Sequence, residues 1–206
     1  MMMLAVETTA AIASAALLND GVLLAEREAD AGKKHAETLL PLIDKLLEEN
    51  GITISQIDLF AVDIGPGSFT GVRIGVSLVN ALAFAAGKKI VAVNALYALS
   101  MSVGEANRPV AVMIDARNGN AYAALYQAGV ALIEPCAIEI ETWKAGLPQN
   151  TAFVGDTQAE EKTYPRARFI GNAALLQQDA AKNEVEPVYL RPSQAERTKQ
   201  QSVKGA

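Results

Sequence analysis

The sequence predicts a two-lobed α/β protein, and three observations carry that expectation. Over the first hundred residues, short apolar runs alternate with stretches of helical period in the order βββαβαβα. A glycine-rich turn, Gly65 to Gly75, lies between one of those strands and the helix after it. An ungapped shift of 108 positions lays Leu4 to Leu24 over Val112 to Leu132, so that Ala15, Leu17, Gly21 and Val22 meet Ala123, Leu125, Gly129 and Val130. The same shift sets Glu7 on Asp115, which reads as an internal duplication.

Each element has its own warrant. Leu4 to Glu7 is β-prone, and Ile12 to Leu18 and Val22 to Glu28 flank Asn19-Asp20-Gly21, residues that tolerate the positive φ of a hairpin turn. From Ala36 to Asn50, Leu39, Leu40, Ile43, Leu46 and Leu47 recur at helical spacing, and Gly51 supplies a left-handed stop. Pro41 inside that pattern implies a kink or a later start. Leu59 to Gly65 is a compact apolar strand, and a second helix runs from Thr70 to Ala86, closed by Gly87. Ile90 to Asn94 reads as a strand and Ala95 to Glu105 as a third helix, with a break at Asn107-Arg108-Pro109.

The second half reads as a reduced copy of the first. It adds a loop containing Trp143, a strand at Thr151 to Val154, helical patches near Gln158 and over Asn172 to Lys182, and a strand at Pro187 to Leu190. The expected division is 1–106 for the first lobe, 107–191 for the reduced second lobe and 192–206 for a polar tail. Two lobes of ribonuclease-H-like topology meeting at their strand ends define the actin-like (ASKHA) fold, whose ligands bind in the crevice at those ends.

Composition narrows the chemistry. The chain has 206 residues, half of them hydrophobic and a fifth charged, enough apolar surface for a core. A formal charge of −5 disfavours direct affinity for phosphate backbones, so any nucleic-acid role needs a partner. Cys136 is the single cysteine, which excludes an intrachain disulfide and a cysteine cluster for zinc or an iron–sulfur centre, and suits a reducing cytoplasm. Glu7 interrupts the opening apolar stretch, so no secretory signal is expected. Asn80, Lys88, Lys89 and Asn94 interrupt the most apolar region, so no membrane span is expected either.

The segment GPGSFTGVRIG is the most informative. Its glycines permit positive φ and leave the amides of a helix start aimed outward as an anion site. It is neither a Walker loop nor a GxGxxG fingerprint. Glu7, Thr8, Gly65, Gly67, Ser68 and Asp115 are therefore candidate remnants of a phosphate loop. A tight joint capped by Ser68 or Thr70 accounts for the segment equally well.

GPGSFTGVRIG, preceded by VETT at Val6 to Thr9 and by His35 with LLP at Leu39 to Pro41, resembles the bacterial TsaB family, also called YeaZ. DAR at Asp115 to Arg117 with Tyr122, and PVYLR at Pro187 to Arg191, extend the resemblance over nearly the whole chain. Asn120, where an acidic residue is usual, and Glu7 in place of aspartate depart from the pattern. The resemblance implies a non-catalytic subunit that binds and activates TsaD, which places threonylcarbamoyl on adenosine 37 of tRNAs reading ANN codons. TsaE would be the third component, tRNA would be reached only through the complex, and the subunit alone would form a homodimer. No cofactor and no metal are expected. His35 is the only histidine, so the two-histidine metal site of TsaD-like enzymes cannot form within one chain.

The second helix is apolar nearly all round, with Arg73, Ser77 and Asn80 as a thin polar stripe. Either the first helix covers its outer side within the monomer or that side is an interaction surface. The resemblance favours an interface of first-lobe helices, with Leu39, Ile43, Gly71, Arg73, Gly75, Val76, Val79, Leu82 and Ala83 as its candidates and the Gly71/Gly75 pair admitting a partner helix. Two alternatives stand beside this reading. One is a stand-alone actin-like ATPase or kinase using Glu7, Asp115 and the glycine loop. The other is a ribonuclease-H-like nuclease using Glu7, Glu37 and Asp63.

Overall fold

The computed structural model describes residues 1–30, 34–103, 107–159 and 162–191. The first sheet has the order β3-β2-β1-β4-β5, from β1 (Met2–Glu7), β2 (Ile12–Asn19), β3 (Val22–Asp30), β4 (Leu59–Asp63) and β5 (Lys89–Val93). Its first three strands form an antiparallel meander, and β4 and β5 add in parallel. Parallel strands buried on both faces read as unbroken apolar runs, which is why β4 is buried throughout.

Strand alternation sends Leu4, Val6, Phe60 and Val62 to one face, where α1 (His35–Glu49) and α2 (Phe69–Ala86) cover them. Met3, Ala5, Leu59 and Ala61 go to the other, against α5 (Ala167–Leu175). The two covering helices end as expected, with Gly51 and Gly87 at positive φ. Helix α1 begins at His35, so Pro41 lies inside the helix rather than at its start. Helix α2 begins under a Ser68 cap whose Oγ accepts from Gly71 N at 3.1 Å. By length and composition α2 would suffice to cross a membrane, despite the interruption at Asn80; here its Val72, Val76, Val79 and Ala83 flank packs on the sheet.

The second sheet, β8-β7-β6-β9, repeats the first meander in β6 (Val110–Asp115), β7 (Asn120–Gln127) and β8 (Val130–Glu139), with β9 (Ala152–Gly155) parallel to β6. Helix α3 (Ala95–Ser100) packs Ala95, Leu96 and Leu99 on one of its faces. The short α4 (Ile140–Ala145) covers the other face with Ile140 and Trp143, where the sequence suggested only a loop. Helices α3 and α5 thus form a middle layer between the sheets, with Tyr97 and Phe169 touching both cores.

Several expectations change. The third helix ends at Ser100 and passes into a 3-10 turn over Met101–Val103; residues 104–106 lie outside the described residues. The expected helix near Gln158 is a bend with Gln158 at φ 64°, and Pro187 to Leu190 forms no strand. The helical stretch starts at Ala167, five residues early, because its apolar stripe includes Ala167 and Ile170. The polar tail 192–206 lies outside the described residues. The sequence-based division at residue 107 does not anticipate that α5 and the segment after it return to the first sheet.

The duplication is present with a one-residue slip. Glu7 opposes Ser14, whereas Asp115 opposes Ala121, one short of the offset of the sequence repeat. A slip of one residue sends a side chain to the opposite face. Glu7 accordingly lies on the α5-facing side of its sheet, while Asp115 shares the α4-facing side with Met113. The two carboxylates are not counterparts.

Helix α5 is fastened by polar contacts as well as by its core. Ala167 N donates to Ser14 Oγ at 2.8 Å, Arg168 pairs with Glu26 at 2.6 Å, and Arg166 pairs with Glu28 at 3.1 Å. Ile170 is the large aliphatic side chain that α5 buries fully in this layer. Ile170→Ala is expected to destabilise the chain by about 2–5 kcal/mol, read as a lower urea midpoint with an unchanged m-value.

Candidate functional site

The crevice end of the first sheet is occupied by acid groups. Glu7 closes β1 and Asp63 closes β4, on neighbouring strands and the same face, and both are fully buried. Glu7 Oε1 accepts from the Thr9 and Ala10 amides, the latter at 3.1 Å, and from Thr9 Oγ1 at 2.6 Å. Asp63 Oδ1 accepts from Gly65 N at 2.7 Å, and Asp63 Oδ2 lies 3.0 Å from the same Thr9 hydroxyl. Glu7 Oε2 is buried without a partner. Burial, then the neighbouring Asp63, pushes the Glu7 carboxyl up, and burial pushes Asp63 up, so the two titrate as a pair above the ordinary carboxylate range.

The glycine turn closes over this pair. Gly65, at φ 102°, precedes a cis peptide bond to Pro66, and Ser68 N donates to Thr9 O at 2.9 Å. Thr8 Oγ1 donates to Gly71 O at 2.8 Å. A Cβ on Gly71 would lie 1.9 Å from the Thr8 carbonyl oxygen, and one on Gly75 would lie 2.3 Å from Thr8 Oγ1. Gly67 is held to glycine in the same way by Thr9, 2.6 Å from its Cβ position. The Thr8-Thr9 loop therefore packs directly against the turn and the helix start, and the glycines serve this joint. Gly71 and Gly75 admit this loop, not a partner helix.

The remaining candidates are not drawn into one site. Asp115 is exposed, accepts from Arg117 N at 2.8 Å, and donates its own amide to Asp156 Oδ1 at 2.7 Å. Glu37 is exposed on α1, and among the described residues no three potential metal ligands converge. His35 Nε2 lies 3.0 Å from the Ala10 carbonyl, tying the start of α1 to the same loop.

The polar stripe of α2 receives the segment 182–191, which runs over the helix as a strap. Lys182 bridges edge strand β5 at Ile90. The Asn80 amide pairs with both backbone groups of Val185, at 2.9 and 3.1 Å, and Val188 N donates to Ile64 O at 2.8 Å. Tyr189 stacks on Phe69 with ring centroids 4.8 Å apart and accepts from Arg73 Nε at 2.7 Å. Sequence reading missed the Asn80 and Tyr189 contacts, although PVYLR and a polar stripe on an otherwise apolar helix were both visible.

The expected interface list needs correcting on the same grounds. Leu39, Ile43, Val76, Val79 and Ala83 are buried in the first-lobe core, Gly71 and Gly75 are covered by Thr8, and Arg73 is engaged by the strap. Of that list Arg73 is exposed and Leu82 is part-exposed, packed like Ile74 and Leu78 against the core on one side, with Ala81 and Ala85 exposed beside it. Phe84 is 87% exposed at the end of that helix, and Leu40 is exposed on α1.

Comparison with known proteins adds a second line of observation. Residues 28–195 match the family model described as TsaD, tRNA N6-adenosine threonylcarbamoyltransferase. The tRNA threonylcarbamoyladenosine biosynthesis protein TsaB of Bacillus subtilis is 33% identical over 186 residues, covering 84% of this chain and 81% of that one. Its Escherichia coli namesake is 36% identical over 129 residues, and the chain spans only 55% of that relative's length. Among solved structures, YeaZ from Pseudomonas aeruginosa superimposes with a TM-score of 0.76 at 28% identity, over 92% of this chain and 99% of that one.

The joint makes a sharp prediction. Gly71→Ala sets a methyl against backbone that cannot swing aside, and should cost about 2–3 kcal/mol or more in urea unfolding. Gly146→Ala, whose nearest neighbour lies 3.6 Å from the added carbon, serves as the control and should stay within about 1 kcal/mol.

Proposed function

The chain belongs to the TsaB (YeaZ) family, and we propose that it is the non-catalytic scaffold and activator subunit of the bacterial complex forming N6-threonylcarbamoyladenosine at position 37 of tRNAs reading ANN codons. It binds TsaD directly through first-lobe helices, with TsaE as third subunit, and it pairs with a second copy of itself when alone. It works in the cytoplasm, and tRNA reaches it only through the complex.

The observation that carries this reading is the outer flank of α2. From Ile74 to Ala86 the helix has no charged residue, and Ala81, Phe84 and Ala85 are exposed. An uncharged helix flank of this kind, with a fully presented phenylalanine at its end, is the sort of surface that protein partners cover. The crevice supports the same reading: its two carboxylates are fully buried and bonded to the Thr9 and Ala10 amides, the Thr9 hydroxyl and Gly65 N. A single histidine leaves no pair to hold the metal of a TsaD-like centre.

The burial pattern also selects the test. Val76 is 3% exposed against the sheet, so a charge there would unfold the lobe and say nothing about binding. Phe84→Glu and Ala85→Glu place the charge on the presented flank instead. Both variants should keep the wild-type circular dichroism and thermal midpoint. Their affinity for TsaD should fall roughly a hundredfold, the effect of about 3 kcal/mol for an unpaired charge in a desolvated contact. tRNA modification by the reconstituted complex should fall in parallel. If both fold and still co-purify with TsaD at wild-type affinity, the docking face lies elsewhere.

A further inference from the structure

We propose that Glu7, Thr9 and Asp63 form a proton-sharing clamp that holds the Thr8–Ala10 loop over the start of α2 and loosens the loop when the shared proton is lost. The inference is independent of which partner the protein binds. It starts from hydrogen counting. Thr9 Oγ1 lies 2.6 Å from Glu7 Oε1 and 3.0 Å from Asp63 Oδ2, yet a hydroxyl carries one hydrogen. If it donates to Glu7, the contact with Asp63 is favourable only when Asp63 Oδ2 carries a proton and donates to Thr9. The remaining donors agree, because the Thr9 and Ala10 amides also converge on Glu7 Oε1. The clamp is then a relay from Asp63 through Thr9 to Glu7, with one negative charge on the pair.

Among the described residues packed against the pair, none supplies a countercharge for a second. Opposite Glu7 on β2 stands Ser14, whose hydroxyl accepts from Ala167 N. The arginines beside that amide, Arg166 and Arg168, are paired with Glu28 and Glu26 on β3. Opposite Asp63 on β5 stands Val93, and α3 presents its Asn94 cap. The first charged residue of α2, Arg73, is bound to Tyr189 of the strap, and strap residue Glu186 is exposed. From α1 the facing group is His35, on the Ala10 carbonyl. Two carboxylates in so dry a place cannot both ionise without moving apart or drawing in water.

What the clamp holds is a junction. The loop between Glu7 and Ala10 gives its carbonyl at Thr9 to Ser68 N, its Thr8 hydroxyl to Gly71 O and its Ala10 carbonyl to His35. Loss of the proton therefore acts on the starts of α1 and α2 together. Both groups titrate higher in the folded chain than in the unfolded one. Between the ordinary carboxylate range near pH 4 and the folded pair's range near 7–8, the folded state binds more protons. Stability from this source is thus fullest at low pH, falls as pH rises through that window, and is flat above it.

The test uses the intact chain with carbon-13 in its side-chain carboxyls, followed from about pH 5 to about pH 8.5 together with amide exchange at Thr9 and Ala10. The expected result is a carboxyl of the pair still titrating above about pH 6, with the protection factors of both amides falling at least tenfold over the same range. Core amides such as Ala16 should keep theirs. Asp63→Asn places a permanent N–H donor toward Thr9 while its oxygen still accepts from Gly65. That variant should show no fall in loop protection. The proposal is overturned if both carboxyls are ionised by about pH 5, if wild-type loop protection does not change, or if Asp63→Asn loses protection as the wild type does. Should that variant not fold, the wild-type titration and exchange decide between the same two outcomes. Asp156, which burial also pushes up, lies in the second lobe, where it accepts from the Asp115 amide.

Discussion

Thr8 lies where α2 can carry no side chain. Its carbonyl and hydroxyl occupy the space that a methyl on Gly71 or Gly75 would need, and its hydroxyl donates to the Gly71 carbonyl. This contact sets how closely α2 approaches the end of β1, and so where the Val72, Val76, Val79 and Ala83 flank meets the sheet. The helix can then turn only one other flank outward. A glycine segment that resembles a ligand loop works here as a bearing surface between two pieces of the same chain, with backbone against backbone.

Much of the first lobe was legible because its signals are local. The hairpin turn at Asp20-Gly21, the leucine spacing of α1 and the glycine stops at Gly51 and Gly87 each act within a few residues. The second half was less legible where long-range contacts decide. Pro187 to Leu190 has the composition of a strand, yet it lies along α2 with single hydrogen bonds from Val188 N to Ile64 O and from Arg73 to Tyr189 in place of a ladder. The repeat was visible as a match of letters, but a letter match cannot reveal a one-residue slip between paired strands, and so it set Glu7 and Asp115 in equivalent places.

The candidate site was legible as a place more than as a set of roles. The glycine turn and Glu7 are where the sequence located them. Asp63 entered only as a conceivable metal ligand, because nothing in a linear reading reveals that two carboxyls will share one threonine hydroxyl. For α2 the sequence identified a helix apolar all round but not which flank would be covered. That depended on the strap, which takes up Arg73 and Asn80 and leaves the flank of Ile74, Leu78 and Ala81 apart from it. Polar residues on an otherwise apolar helix were the available clue, since each needs a partner if it is partly covered.

The α5 helix has a bearing on how the chain acquires its shape. Met3, Ala5, Leu59, Ala61 and Val91 belong to strands complete by residue 93; Tyr97 and Ala98 of α3 follow at once, but most of the cover arrives with Ala167, Ile170, Ala173 and Ala174. During synthesis, the first sheet emerges with most of one apolar face bare for some seventy residues, roughly four to fifteen seconds at ordinary ribosomal speeds. The amino-terminal half on its own therefore lacks the α5 cover of one sheet face. A ribosome that stops short of α5 leaves a nascent chain whose open sheet is a target for chaperones and for self-association.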